Sequence, residues 1–290
     1  MLQLIEVFIS GLVQGAVYCV FALGLSLVYG TARVLNFAHG SIYMMGAYLA
    51  WVLSAGYFGL GYGLVFLVLL PLLFVIGLGL ERVVIRPLRW GARWQTTTMM
   101  ATLGLAFVID NVHLIVFGPG EKLLPRFVEG SVSLSGIVLS HHDVLIFVLA
   151  IATVVALELF LHGSRTGQAM RAVAQDMQGA SMVGIEVNRI FGLAFGLSVV
   201  LAGVAGVLLA PVYLISPLGG WTPFLKGFVI VVFGGLGSTR GVLYAAFILG
   251  VIEAFVIFSL GASWIMPIWL VTLLVVLMLR PQGLLGVWAN

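Results

Sequence analysis

Residues 4–29 read LIEVFISGLVQGAVYCVFALGLSLVY, about 26 residues with one acidic side chain, Glu6, and no basic one. A helix rises 1.5 Å per residue and needs roughly 20 apolar residues to cross a bilayer core. This run is therefore long enough to span a membrane. No basic stretch precedes it and it outlasts a signal-peptide core, so it reads as a retained span. Further qualifying runs lie at 39–56, 61–80, 96–118, 144–161, 190–214, 241–260 and 263–279. A shorter one, 224–237, holds Lys226 and, among others, the glycines Gly234, Gly235 and Gly237, and reads as a short span or a re-entrant half-helix. The expected fold is all-α: a polytopic transmembrane bundle of eight or nine segments, in a single domain over residues 1–290.

Composition says the same. Of the 290 residues, 62% are hydrophobic and 8% charged, against roughly 25% charged in soluble domains. Soluble enzymes, nucleic-acid binders and disordered chains are excluded, and the net charge of +3 is explained by topology. Placing the arginine-rich linker (Arg82, Arg86, Arg89, Arg93) in the cytoplasm and alternating puts ten of the 13 Lys and Arg residues inside, with Lys122, Arg126 and Lys226 outside or near it. That split predicts N-out and C-in. The loop 119–143 is then external, and Val132-Ser133-Leu134-Ser135 alternates like one strand of a small hairpin or cap. The sole cysteine, Cys19, sits in an apolar run as a packing residue. The 37 glycines, with Gly11-x-x-x-Gly15, Gly192-x-x-x-Gly196 and the stripe Ser198, Ala202, Gly206, Ala210, predict close helix packing or sliding surfaces.

The longest internal segment, 163–189, is polar and helix-prone. Ala169, Val173, Met177 and Ala180 make an apolar stripe on a helix over about 167–181, either lying on the membrane or docking a cytoplasmic partner. Asn36-Phe37-Ala38-His39-Gly40 carries groups that can satisfy the backbone at a helix break, or simply a capped turn. Intramembrane ionisable residues are costly. Asp110 and His113 share a helix face. Asp110 suits either a substrate ammonium or a structural hydrogen bond to Asn111, His113 or a partner chain. Glu253 reads as structurally satisfied, and Glu81 and Glu158 as arginine partners. Ser26 and Ser164 lack a nucleophile elbow, and the adjacent His141, His142 and Asp143 suit a helix start better than a metal ion. The sequence thus supplies no catalytic, cofactor or metal site. No nucleotide-binding P-loop is present.

Four motifs together resemble the branched-chain amino acid ABC transporter permeases, the first of that system's two permease types in particular: Asn36–Gly40; Arg165-Thr-Gly-Gln-Ala-Met-Arg-Ala-Val-Ala-Gln-Asp176; Gly234-Gly-Leu-Gly-Ser238 with Gly241; and Arg280-Pro-Gln-Gly-Leu-Leu-Gly286. The resemblance implies a multi-pass subunit of a bacterial inner-membrane importer. Its partners would be a second permease, two cytoplasmic ATPases carrying ATP and Mg, and a soluble substrate-binding protein. It also implies ATPase coupling through Arg165, Gly167, Gln168, Arg171, Ala172, Asp176, Ala180 and Gly184. A translocation pathway or helix break would lie at Asn36, Phe37, Ala38, His39, Gly40, Gly234, Gly235, Gly237 and Ser238. Urea, short amides or small carboxylates are alternative cargoes. A self-sufficient secondary transporter would need midplane carboxylates, and only Asp110 and Glu253 are available.

Overall fold

The computed structural model describes residues 2–91, 93–134, 137–280 and 282–285. The elements in chain order are α1 (Leu2–Ala32), α2 (His39–Trp51), α3 (Tyr62–Leu80), α4 (Trp94–Phe117), β1 (Ser131–Leu134), β2 (Ile137–Ser140), α5 (His141–Gly163), α6 (Arg165–Gln175), α7 (Met177–Met182), α8 (Val187–Leu209), α9 (Trp221–Gly234), α10 (Thr239–Leu260) and α11 (Ile265–Leu279). A π-helical turn extends α2 to Gly56, and π and 3-10 turns extend α3 to Trp90, so the expected arginine linker is largely helical. Among the described residues, seven helices are long and apolar enough to cross a membrane; α9 is shorter.

Helices that are apolar all round belong in the middle of a bundle, and α1 and α8 are there, each 83% buried over its most apolar window. The outer helices α3, α4, α5 and α11 keep apolar faces exposed, as a chain solvated by lipid must. Glycine lets the central helices touch. A Cβ on Gly11 would lie 2.7 Å from Val251 Cα, and one on Gly250 2.6 Å from Gly15 Cα, so the Gly11/Gly15 pair seats α10 against α1. Cys19 is fully buried.

The bundle has two faces. On one, β1 and β2 pair antiparallel, with Val132 opposite Leu139, and Val138 N–H donates to Glu6 at the start of α1 (3.1 Å). This is the expected hairpin; Ser135 lies outside the described residues. His142 accepts from Phe127 N–H while His141 turns to the Glu129 carbonyl, so the two rings diverge. The opposite face gathers α6, α7 and the arginines. There Glu81 pairs with Arg89, which also donates to Asn188 and stacks on Phe191. Glu158 pairs instead with His162, its i+4 neighbour (3.5 Å), not with an arginine.

Two element boundaries differ from expectation. Helix α8 ends at Leu209, not 214, because Pro211 and the following turns end it. Helix α9 spans Trp221–Gly234 and stops where Gly235 (φ +105°) and Gly237 (φ +83°) adopt conformations that side chains disfavour.

Candidate functional site

Helix α1 reaches the arginine face and ends at Ala32; Arg33, at φ +55°, turns the chain, and its guanidinium donates to the Ala174 carbonyl of α6 (3.3 Å). The chain then climbs back inside. The Asn36 side chain accepts from Ala38 N–H (3.1 Å), and its carbonyl accepts from His39 N–H (3.2 Å). Phe37 N–H donates to Thr102 on α4 (3.1 Å). These bonds satisfy backbone that has left helical geometry. His39, fully buried, starts α2, and its ring reaches the level of Phe21, 11 residues or about 16 Å of helical rise before the end of α1. Its Nε2 meets the Phe21 carbonyl at 2.9 Å, and its Nδ1 lies 3.4 Å from the Ser198 hydroxyl. A carbonyl only accepts, so this network assigns the proton to Nε2 and makes Ser198 the donor to Nδ1.

A second interrupted crossing meets the first. After α8, Ile215 pairs with Lys122 on the hairpin face, and Gly237 packs on Gly30 near the arginine face. Between them the chain descends without helix and α9 begins at depth. The starts of α2 and α9 touch through two glycines: a Cβ on Gly40 would lie 2.9 Å from the Gly220 carbonyl carbon, and one on Gly220 2.5 Å from that of Gly40. From this junction α2 runs to the hairpin face, where Lys122 sits over Trp51, and α9 runs to the other.

Asp110 stands beside the junction. Helix α4 buries one stripe, Thr98, Thr102, Ala106, Asp110 and His113, so Asp110 and His113 do share a face. The partner of Asp110 is not one the sequence suggested. Trp221, the first residue of α9, donates its indole N–H (3.0 Å), and Asn111 bonds its own helix at Phe107. His113 packs on Tyr48, which stacks on Phe117, and the His113 Nδ1 and Tyr48 hydroxyl are buried with no partner among the described residues. Phe37, Phe224, Trp221 and Phe107 form an aromatic ladder with successive centroids 5.6, 6.1 and 6.0 Å apart.

The two glycine-rich motifs at the chain's end converge. Ser238 caps α10 by accepting from Gly241 N–H (3.1 Å), and Gly241 packs against Gly234. Leu284 and Leu285 N–H groups donate to the Phe233 and Gly234 carbonyls (2.7 and 3.1 Å), so the tail satisfies carbonyls that the end of α9 leaves free. Pro281 and Gly286 of that motif lie outside the described residues.

Glu253 is satisfied, by a partner sequence reasoning missed. Lys226 Nζ lies 2.6 Å from its Oε1, Tyr18 donates to the same oxygen (3.1 Å), and Trp269 donates to Oε2 (2.9 Å). Gln14 extends the network to Tyr213. The available signal was that Lys226 and Glu253 are a cation and an anion in neighbouring apolar runs, each costly without the other.

The 163–189 segment is two helices, not one. Ser164 caps α6 at Gly167 N–H (2.9 Å), and Asp176 caps α7 at Gln178 N–H (3.0 Å). Asp176 adopts φ −147° and ψ +105°, which breaks the helix and its register. The expected stripe is therefore corrected: Gly167, Met170, Val173 and Ala180 face inward, whereas Ala169 is half-buried and Met177 exposed. Gly167 packs on the Phe160 and Leu161 backbone. Arg165, Gln168, Asp176 and Gly184 face outward, with Met182 88% and Val183 78% exposed; Arg171 and Ala172 are half-buried.

The family model described as branched-chain amino acid transport system / permease component matches residues 7–280. The high-affinity branched-chain amino acid transport system permease protein BraD of Pseudomonas aeruginosa is 34% identical, covering 97% of this chain and 95% of that protein. The corresponding LivH of Escherichia coli is 30% identical over 98% of this chain and 96% of its own. LivM of E. coli, at 28%, is matched over 68% of its length. Match to BraD and LivH is thus fuller than to LivM, as the four motifs imply. The chain belongs to the branched-chain amino acid permease family and is a multi-pass membrane transport subunit.

Proposed function

We propose that this chain is one permease of an ABC importer for branched-chain or related amino acids. It pairs with a second permease, receives cargo from a binding protein outside, and is driven by ATP hydrolysis on two cytoplasmic ATPases. The residues 1–290 act as one domain in the bacterial inner membrane. Counting both interrupted crossings gives nine, with the N-terminus out and the C-terminus in. This count keeps the arginine-rich face cytoplasmic.

The observation that carries the reading is the junction of two half-length helices at Gly40 and Gly220. Non-helical backbone at membrane depth is tolerated where protein buries it or it lines a cavity, and transporters place it at their binding sites. The starts of α2 and α9 present helix N-termini that suit a carboxylate, Asp110 suits an ammonium, and the Phe37–Phe107 ladder offers an apolar surface. A zwitterion with a branched apolar side chain finds a match for each of its groups there, with Asp110 tuning transport rather than acting as an obligatory ligand. Coupling is assigned to α6 and α7. Their exposed Met182 and Val183 make an apolar contact, and Arg33 ties α6 to the start of the first interrupted crossing. The test is uptake of labelled leucine into vesicles holding this chain, its partner chains and ATP. ATP-dependent uptake that also requires the binding protein is expected. Uptake without ATPase chains would overturn the reading in favour of a secondary transporter.

A further inference from the structure

On the arginine face, a pocket of about 320 Å³ opens between the end of α3 and the start of α8. Arg82, Arg86, Asn188 and Arg189 line it and are exposed; Leu78 and Leu193 line it and are partly buried. Among the described residues, none of these three arginines forms an ion pair. Two acids border the pocket. Glu81 is already held by Arg89, and Glu186 is exposed and unpaired. The pocket therefore keeps an excess of positive charge. Its depth is set by the sequence: the apolar run of α3 ends at Leu80, two residues before Arg82, and that of α8 begins at Ile190, one residue after Arg189. The arginines thus sit at the edge of the hydrocarbon, the level of phospholipid phosphates, over an apolar floor.

We propose that this pocket binds the phosphodiester of an anionic glycerophospholipid from the adjacent leaflet. Arg82, Arg86 and Arg189 hold the phosphate, Asn188 donates to an ester or glycerol oxygen, and the acyl chains leave along the exposed apolar face of α3. Arginine presents a planar fork to a phosphate, which suits it to this role over a diffuse charge cloud. Such a lipid would brace the extension of α3 against α8, where Arg89 already bridges the two. Its leaflet follows from the orientation proposed above, but binding itself does not depend on that orientation.

The test is binding to the purified full chain in detergent, read by native mass spectrometry, with dioleoyl phosphatidylglycerol, dioleoyl phosphatidylcholine and inorganic phosphate as probes. Phosphatidylglycerol should bind at least about tenfold more tightly than phosphatidylcholine, since each basic residue near the surface favours the anionic headgroup. The triple variant Arg82→Gln/Arg86→Gln/Arg189→Gln should lose that preference, and Arg240→Gln, an arginine away from the pocket, should keep it. Millimolar phosphate should not compete. In the unmodified chain, a photoactivatable phosphatidylglycerol should crosslink within residues 78–89 and 186–193. Equal affinity for the two lipids, an unaffected triple variant, competition by phosphate, or crosslinks concentrated elsewhere would each overturn the proposal. Loss of ATPase co-purification in the triple variant, without any lipid preference in the unmodified chain, would assign the pocket to a protein partner instead.

Discussion

Two of the carboxylates buried in this bundle, Glu253 and Asp110, are treated in opposite ways. Glu253 is surrounded: Lys226 and Tyr18 share one oxygen and Trp269 holds the other, tying α1, α9, α10 and α11 together. Asp110 has one close donor, the Trp221 indole, with the Ser41 hydroxyl nearby and an unpartnered His113 one turn along the same face. A saturated charge in low dielectric fixes its neighbours, because every displacement breaks several charge-assisted bonds at once. A sparsely held one leaves room for rearrangement. If the chain works as the proposed importer, changing between inward- and outward-facing states, the Glu253 network suits a fixed frame and the Gly40–Gly220 junction beside Asp110 suits the moving part.

The largest effect is expected from breaking the frame. Lys226→Met leaves Glu253 buried without its cation, which costs about 3–5 kcal/mol and should lower the unfolding midpoint in detergent by about 10 °C. Adding Glu253→Gln removes the orphaned charge and keeps one oxygen to accept the Trp269 indole N–H, while its amide can donate to the Tyr18 hydroxyl, so the double variant should recover more than half of that loss. A double variant no better than Lys226→Met would show that the pair is not the unit of stability, and the contrast with Asp110 would fail.

At the junction, Gly220→Val drives side-chain carbon into the Gly40 backbone. Overpacking of this kind costs about 1–3 kcal/mol, less than the broken ion pair, but it falls where the crossings meet. Vesicle uptake should be abolished while the chain still assembles. Normal uptake by Gly220→Val would place the moving part elsewhere.

A smaller effect is expected at the coupling surface. Ala172 is a poor probe there, because it is half-buried against the bundle and a charge would disturb the permease itself. Met182, 88% exposed, is the better one. Met182→Glu should reduce ATPase co-purification about tenfold, near 1.4 kcal/mol, and leave the unfolding midpoint unchanged. Undiminished co-purification would remove α7 from the docking surface.

Much of this was legible in the sequence. Length and apolarity set the spans, because a bilayer imposes nearly one helix length. The hairpin followed from alternation, whereas Asn36 and His39 left a helix break and a capped turn both open. What stayed hidden was contact between distant segments. Nothing local says that Gly40 meets Gly220, that Lys226 reaches Glu253, or that the tail at Leu284 covers the end of α9. Periodicity also misread 163–189, since a stripe drawn through Val173 and Met177 assumes a continuous helix. Asp176 falls inside the expected helix over 167–181, yet its side chain is a good N-cap and ends one helix to begin another.

The smallest effect is expected at Asp110, and it tests the comparison most finely. Asparagine has the same shape and keeps an oxygen to accept the Trp221 indole N–H. It loses the charge that the first turns of α2 and α9 favour, worth about 0.3–1 kcal/mol, but it also sheds the cost of holding a carboxylate away from water. These terms oppose each other, so Asp110→Asn should leave the unfolding midpoint nearly unchanged and reduce leucine uptake only a few-fold. Asp110→Leu removes the acceptor as well and leaves the indole unpaired, about 1–3 kcal/mol if fully desolvated and toward the lower end here because Trp221 is only partly buried. It should be the more damaging of the two. If instead Asp110→Asn assembles normally and transports nothing, hydrogen bonding is not what matters at this position. The charge itself would then be required, and the carboxylate would be the group that meets the substrate ammonium.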